Sequence, residues 1–122
     1  MTKAPKRVLD RVVLHLGDGL RRVVDPDHVY YLEVQDGDTR VRLRSARLLV
    51  DMRPLRELLP HFAPHAFLQI HREYVVNLRH IRQIRRRDDG REWEVKLESP
   101  VNRVLPVSRR VLAKLWQAFE TV

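Results

Sequence analysis

The 122-residue sequence contains no cysteine, and this absence excludes several kinds of chemistry at once. Without thiols the chain can form no disulfide, bind no metal through thiolates and use no cysteine nucleophile. Long apolar segments are also missing, since the longest uninterrupted apolar run is four residues and a membrane-spanning helix needs about 20. The N-terminal segment MTKAPKRVLDRVV has no apolar signal region. We therefore expect a cytoplasmic protein with no membrane partner.

Glycine is scarce, and the four glycines all lie in short turn-forming segments, so a glycine-rich phosphate loop is absent. Candidate metal ligands are equally sparse. His71 and Glu73 match half of a zinc deaminase signature whose cysteines are missing, and His61 and His65 stand beside prolines that disfavour a shared helix. We expect no metal, no cofactor and no enzymatic activity.

Basic residues dominate the charge of the chain. Lys plus Arg is 24 and Asp plus Glu is 16, which gives a formal net charge of +8. Twenty of the 24 bases are arginine, whose planar guanidinium fits phosphate and guanine through forked hydrogen bonds. The hydrophobic fraction of 43% favours a folded domain over a disordered basic tail. The expected partner is therefore a polyanion, and nucleic acid is the leading candidate.

Aromatic residues make up only 7% of the chain, which bears on the kind of nucleic acid. Proteins that bind single strands stack the bases on exposed aromatic rings. Tyr31, Trp93, Trp116 and Phe119 fall at positions that the pattern predicts to be buried. Few rings are then left for stacking, and duplex DNA is favoured over a single strand.

Alternation of apolar and polar residues predicts a mainly β chain of about nine strands. The clearest case is residues 39–44, where Thr39, Val41 and Leu43 alternate with three arginines, so that one face is buried and one is basic. Only two short helices are expected. The first covers leucines between Pro54 and Pro60, and the second begins near Leu112 with Ser108 as its N-cap.

One segment, residues 67–77, breaks the alternation. A single strand would place Arg72 on an apolar face, and an unpaired buried charge costs several kcal/mol. We therefore expect a turn near residues 71–73 that leaves Arg72 exposed at a corner. Asn77 is expected to close a turn through its side chain rather than contact a ligand.

Two segments, FLQIHREYVVNLRHIRQI and LPVSRRVLAKL, together resemble the LytTR DNA-binding domain of bacterial transcription regulators. The earlier segment VYYLEVQDGDTRVRL fits the same family, so the resemblance extends over about residues 10–119. It implies an elongated stack of small antiparallel sheets with about ten strands and two short helices. It also implies that residues 1–9 are an N-terminal tail and residues 10–122 the DNA-binding domain.

In this family DNA is read by loops rather than by a recognition helix, and the resemblance implies which residues do so. Base or phosphate contacts are implied for Thr39 and Arg40 in a first loop, for His71 and Arg72 in the corner, and for Arg109 at the start of the last helix. Nearby phosphate contacts are implied for Ser108 and Arg110.

The chain departs from the family pattern at two positions in this region. Gln69 stands where the family usually has arginine, so one phosphate contact is lost. Glu73 stands where the family usually has serine. A carboxylate near the DNA backbone is repulsive unless Arg72 or a cytosine amino group engages it. The target sequence can therefore differ from that usual in the family.

These features predict a sequence-specific regulator of transcription that reads the major groove of duplex DNA. The resemblance implies direct-repeat promoter sites, two copies on one site, and a companion sensor or receiver domain that is not recognisable in this sequence. A basic β domain that binds structured RNA or an acidic protein partner is the alternative. For residues 85–87, phosphate contact and simple solvation remain equally open.

Overall fold

The computed structural model describes residues 10–45, 47–88 and 90–120, so the predicted tail at residues 1–9 lies outside the described residues. The domain boundary at residue 10 stays a prediction. Within these ranges the chain forms ten strands and two α-helices, which confirms the mainly β fold. The strands are β1 (Val12–Gly17), β2 (Leu20–Val24), β3 (Val29–Gln35), β4 (Asp38–Leu43), β5 (Leu48–Asp51), β6 (Phe67–His71), β7 (Tyr74–Asn77), β8 (Ile81–Arg86), β9 (Trp93–Leu97) and β10 (Val104–Val107), and the helices are α1 (Leu55–Phe62) and α2 (Leu112–Glu120).

The strands form three antiparallel sheets. Strands β1 and β2 make a hairpin, five strands make a central sheet in the order β5-β4-β3-β7-β6, and the last three make a sheet in the order β10-β9-β8. Each sheet pairs strands that are adjacent in the chain, apart from the β3–β7 pairing. That pairing joins the two hairpins of the central sheet.

Two hydrophobic cores hold the sheets together. One contains Leu14 of the hairpin with Leu58 and Phe62 of α1, and the other contains Leu97 of β9 and Leu115 of α2. The central sheet contributes to both, because β3 sends side chains to both of its faces. This is why β3 is almost continuously apolar rather than alternating. A register shift near its start places the successive residues Tyr30 and Tyr31 together in the second core.

Helix α1 passes through Pro60 and ends at Phe62, so the predicted end at Pro60 is wrong by two residues. Proline lacks only its own N–H, and the carbonyl that loses its partner belongs to Arg56, an exposed residue. Burial of Phe62, which is 0% exposed, stabilises the last turn. Within the described ranges neither helix is long and apolar enough to cross a bilayer.

Helix α2 is preceded by a single 3-10 turn at Arg109–Val111. Ser108 stands at the N-cap position as predicted, but its hydroxyl makes no capping hydrogen bond. The predicted burial of Phe119 is wrong, since its side chain is 44% exposed. Leu115 is buried in the core and Trp116 packs edge-on against Trp93, whereas the last turn extends beyond these contacts.

A buried carboxylate joins the β1–β2 hairpin to the central sheet. Asp51 is 0% exposed and accepts hydrogen bonds from the backbone N–H of His15 at 2.8 Å and from the Arg53 guanidinium at 2.9 and 3.0 Å. The same guanidinium donates to the carbonyl of Val13 at 2.8 Å. The backbone N–H of Met52 donates to the carbonyl of His15 at 2.8 Å, which completes the joint.

Replacing this carboxylate is expected to weaken the fold in a pH-dependent way. Burial by itself raises the pKa of Asp51, but hydrogen bonds from Arg53 and from the His15 backbone outweigh it and hold the pKa below its usual value. A depressed pKa stabilises the folded state above the unfolded pKa of about 3.9, and this is lost as the pH falls through the folded pKa. Asp51→Asn should lower the free energy of unfolding by about 3–5 kcal/mol at pH 7. Urea denaturation of the wild type and of Asp51→Asn, at pH 7 and at lower pH, measures this difference in the free energy of unfolding. A difference that does not shrink below about pH 4 would contradict the stabilising role of the Asp51 carboxylate.

Candidate nucleic-acid interface

The β3–β4 turn and the β6–β7 corner lie at the same end of the central sheet. Glu33 of β3 pairs with Arg40 of β4 on one side and with Tyr74 of β7 on the other. The backbone N–H of Val34 also donates to the carbonyl of Glu73 at 2.9 Å. Since β3 ends where β7 begins, backbone pairing alone brings the two turns side by side.

The alternation of apolar and polar residues is interrupted at the β6–β7 corner, as predicted. Strand β6 ends at His71 and β7 begins at Tyr74, and Arg72 is exposed in the turn between them. Nδ1 of His71 accepts a hydrogen bond from the backbone N–H of Glu73 at 3.1 Å. In the neutral ring the proton therefore lies on Nε2, which is available as a donor. Nε2 of Gln69 donates to the carbonyl of Arg72 at 3.3 Å, which helps to fix the turn.

The β3–β4 turn presents only one of its two predicted contact residues. Thr39 is 1% exposed and lies on the buried face with Val41 and Leu43, as the alternation of β4 requires. Arg40 is half-buried, and its Nη1 donates to Oε1 of Gln35 at 2.8 Å. A DNA contact by Thr39 stays a prediction, and in this conformation Arg40 is the residue that reaches the surface.

The start of α2 is attached to the corner by a backbone hydrogen bond. The N–H of Ser108 donates to the carbonyl of Ile70, next to His71, at 2.7 Å. A cleft of about 480 Å³ lies between the two segments. Its charged and polar lining residues are Gln69, His71, Arg72, Ser108, Arg110 and Lys114.

This cleft brings together four of the seven predicted site residues. Arg109 is exposed beside it without lining it, and Thr39 and Arg40 belong to the neighbouring turn. Lys114 was not predicted, although its spacing of four from Arg110 is the available signal. No carboxylate occurs among the described residues that line the cleft, so its electrostatic potential favours an anion.

The arginines differ in whether a carboxylate already neutralises them. Arg85 bonds to Glu94 and Arg87 pairs with Glu92 at 3.0 Å, which gives part of the 85–87 cluster an intramolecular role. Within the described ranges no ion pair is formed by the arginines of the corner and the α2 start, which are Arg72, Arg109 and Arg110. These remain available to a polyanion.

Behind the corner, Asn77 has the turn-closing role that is predicted for its side chain. It is 0% exposed, its Oδ1 accepts from the N–H of Arg79 at 3.0 Å, and its Nδ2 donates to the carbonyl of Val29 at 3.0 Å. His80 is likewise structural, because its ring stacks on Tyr30 at 4.0 Å between centroids.

The histidines considered as a metal pair lie elsewhere. His61 and His65 share a second cleft with His15 and Arg53, near the Asp51 joint. Burial, with a further contribution from the Arg53 guanidinium, lowers the pKa of His15. In the part of the chain that the structure describes, no three metal-ligating side chains are placed to hold an ion.

A family model and a solved structure point to the same family, and a curated relative is a transcriptional regulator. Residues 21–120 match the family described as "LytTr DNA-binding domain". The chain is 30% identical over 112 residues to the CO-responsive transcriptional regulator RcoM of Rhodospirillum rubrum, and the match covers 92% of this chain and 46% of that protein. The chain thus spans about half the length of this curated relative.

A solved structure shows the same fold. The structure of the LytTr DNA-binding domain of a putative methyl-accepting/DNA response regulator from Bacillus cereus matches with a TM-score of 0.69 and 25% sequence identity. The match covers 89% of this chain and 94% of that one. The stacked-sheet fold predicted from the sequence is therefore confirmed by a related structure as well as by the topology.

The buried hydroxyl of Thr39 gives a test of its structural role. Its Oγ1 has no hydrogen-bond partner among the residues that the structure describes, and an unsatisfied buried polar atom is unfavourable. Thr39→Val should leave the free energy of unfolding unchanged or raise it by up to about 1 kcal/mol. Thr39→Ser is the matched control, since it keeps the hydroxyl, removes the methyl group and should lower stability by about 1 kcal/mol. A loss above about 1 kcal/mol in Thr39→Val, measured by urea denaturation, would show that the hydroxyl has a partner.

Proposed function

Because this chain belongs to the LytTr DNA-binding domain family, we propose that it binds double-stranded DNA at specific sequences as the DNA-reading part of a transcription regulator. One observation supports this most strongly. The corner and the start of α2 are tied together at one end of the central sheet, and they present cations that no carboxylate neutralises within the described ranges.

The narrow width of a two-stranded turn supports entry of the corner into the major groove. Neighbouring strands of a sheet lie about 4.8 Å apart, whereas the major groove of B-DNA is about 12 Å wide. The β6–β7 corner can therefore enter the groove with Arg72 and the Nε2 donor of His71 directed at base edges. Arg109 lies beside the corner and is assigned to a base edge as well.

The other hydrogen-bond donors at this end of the sheet are assigned to the DNA backbone. Ser108, Arg110 and Lys114 surround the cleft next to the corner, where a phosphate can accept hydrogen bonds from several donors. Arg40, which bonds to Gln35 in the adjacent turn, is assigned to the phosphates on the other side of the corner. Phosphate contacts of this kind fix the register of the protein on the duplex.

Structured RNA is less well supported as a partner. The major groove of A-form RNA is too narrow for side chains, and sequence reading of RNA relies on stacking of unpaired bases on aromatic rings. Among the described aromatic residues only Phe119 is classed as exposed, and it lies in the last turn of α2 rather than at the corner. No observation in the structure favours an acidic protein partner.

Selection from a random duplex pool, followed by affinity measurements on the enriched site, tests this function. Arg72→Ala and Arg109→Ala should each cost about 1–3 kcal/mol on the selected site and relax specificity locally. Arg72→Lys is the matched variant, because it keeps the charge but loses the forked donor geometry. It should retain binding to random duplex and lose discrimination.

Arg86 separates the two kinds of contact. It lies on β8, does not line the cleft and is proposed to contact phosphate only. Arg86→Ala should therefore weaken binding about equally on selected and random duplexes, with the salt slope of log K reduced by about one. Equal losses on both duplexes for Arg72→Ala, Arg109→Ala and Arg86→Ala would contradict these roles.

We also propose that two copies bind direct repeats on one face of the DNA, as the family resemblance implies. Binding sites that are spaced by whole helical turns, about 10.5 base pairs each, place both copies on the same face. Insertion of about five base pairs between the repeats should reduce cooperative binding, measured by gel shift. Spacing-independent affinity, or one copy per two-repeat duplex in sedimentation analysis, would contradict it. A companion sensor or receiver domain stays a prediction.

A further inference from the structure

The β6–β7 corner carries a carboxylate among cations. Glu73 is exposed next to Arg72 and across the turn from His71. It makes no ion pair within the described ranges, whereas Glu94, Glu98 and Glu33 each have a basic partner. An unpaired carboxylate in a turn that contacts DNA opposes binding to the backbone, since it carries the same sign of charge as the phosphates. Its position is therefore unfavourable for nonspecific binding.

The backbone of Glu73 is held on both sides. Its N–H donates to Nδ1 of His71 at 3.1 Å, and its carbonyl accepts from the N–H of Val34 at 2.9 Å. Neither bond involves the carboxylate, so the side chain starts from a fixed point and its end remains available. A fixed starting point limits which base edge the carboxylate can reach.

In the major groove, one base presents a hydrogen-bond donor to a carboxylate without a repelling acceptor beside it. Guanine presents two acceptors and thymine presents one, and both repel a carboxylate. Adenine presents a donor beside an acceptor, N7. Cytosine presents its N4 amino donor with no acceptor next to it. We propose that Glu73 reads the N4 amino group of a cytosine and so fixes one position of the DNA site. This inference rests on the proposed function.

His71 fits the same base pair. Its Nε2 is a donor in the neutral ring, because Nδ1 already accepts from the Glu73 backbone. The guanine paired with a cytosine presents O6 and N7 as acceptors. The corner thus carries one donor and one acceptor of the kinds that a G·C pair requires, on the two residues that flank Arg72 in the chain.

The test compares selections from a random duplex pool by the wild type, Glu73→Gln, Glu73→Ser and a control, Glu57→Gln. Glu57 is an exposed glutamate on α1 that does not line the cleft. The wild type and the control should enrich cytosine at one shared position. Glu73→Gln should prefer adenine there, since glutamine pairs with N6 and N7 of adenine.

Glu73→Ser should lose the preference at that position and bind random duplex more tightly, because the repulsion is gone. Affinities measured on duplexes that differ only at this base pair should change by roughly 10-fold for the wild type and less than about 2-fold for Glu73→Ser. Simultaneous loss of specificity and gain of nonspecific affinity is a result that a purely structural residue would not give.

Three results would overturn the inference. A wild-type motif that both Glu73 variants retain unchanged would show that Glu73 reads no base. A uniform loss of affinity at every position would show that it only orients Arg72. If the wild type enriches no motif at all, the proposed function fails and this inference fails with it. If the wild type enriches a motif and the Glu73 variants give either of the first two results, only this inference fails.

Discussion

Strand β3 is paired on both edges and covered on both faces, and the position of the candidate interface depends on this. Its backbone pairs with β4 and with β7, and its side chains enter both cores, Leu32 in one and Tyr31 in the other. Because β3 fixes the register of both neighbours, the β3–β4 turn and the β6–β7 corner must lie at the same end of the sheet. A register shift of one residue would turn every side chain of β4 or β7 to the opposite face.

The parts of the interface are held mainly by backbone hydrogen bonds. Ser108 is attached to Ile70, and Val34 is attached to Glu73, through their main chains. Side chains at the tips can therefore vary without loss of the scaffold, which is the usual division of labour between loops and the elements that carry them. It follows that substitutions at Arg72 or Glu73 should change recognition more than stability.

Local patterns in the sequence predict the elements, and they do so where a residue's environment depends on its near neighbours. The alternation at residues 39–44, the phase change that exposes Arg72 and the turn-closing role of Asn77 are all confirmed. The continuation of α1 through Pro60 could not be predicted, because it depends on burial of Phe62 in a core formed by distant strands. The Asp51 joint was missed for the same reason, since the His15 N–H that Asp51 accepts from and the Val13 carbonyl that Arg53 reaches both belong to another sheet.

In the candidate site, too, some features depend on local sequence and others on tertiary packing. Sequence resemblance implies Thr39 as a contact, while the alternation of β4 places it on the buried face, and the structure has it 1% exposed. The cleft that collects Arg72, Ser108 and Arg110 depends on contacts between remote segments, so the spacing of Lys114 from Arg110 was not enough by itself to place Lys114 there. The sequence predicts which turns are exposed, and tertiary packing determines which of these turns lie close together.

The central claim is that one end of the central sheet, together with the start of α2, contacts duplex DNA. Backbone amide shifts recorded by NMR during titration with a selected duplex test this most directly. The largest changes are expected at residues 71–73 and 108–110, smaller changes at residues 35–40, and little change in β9 and β10. Changes centred on residues 85–87, with residues 71–73 unaffected, would contradict it.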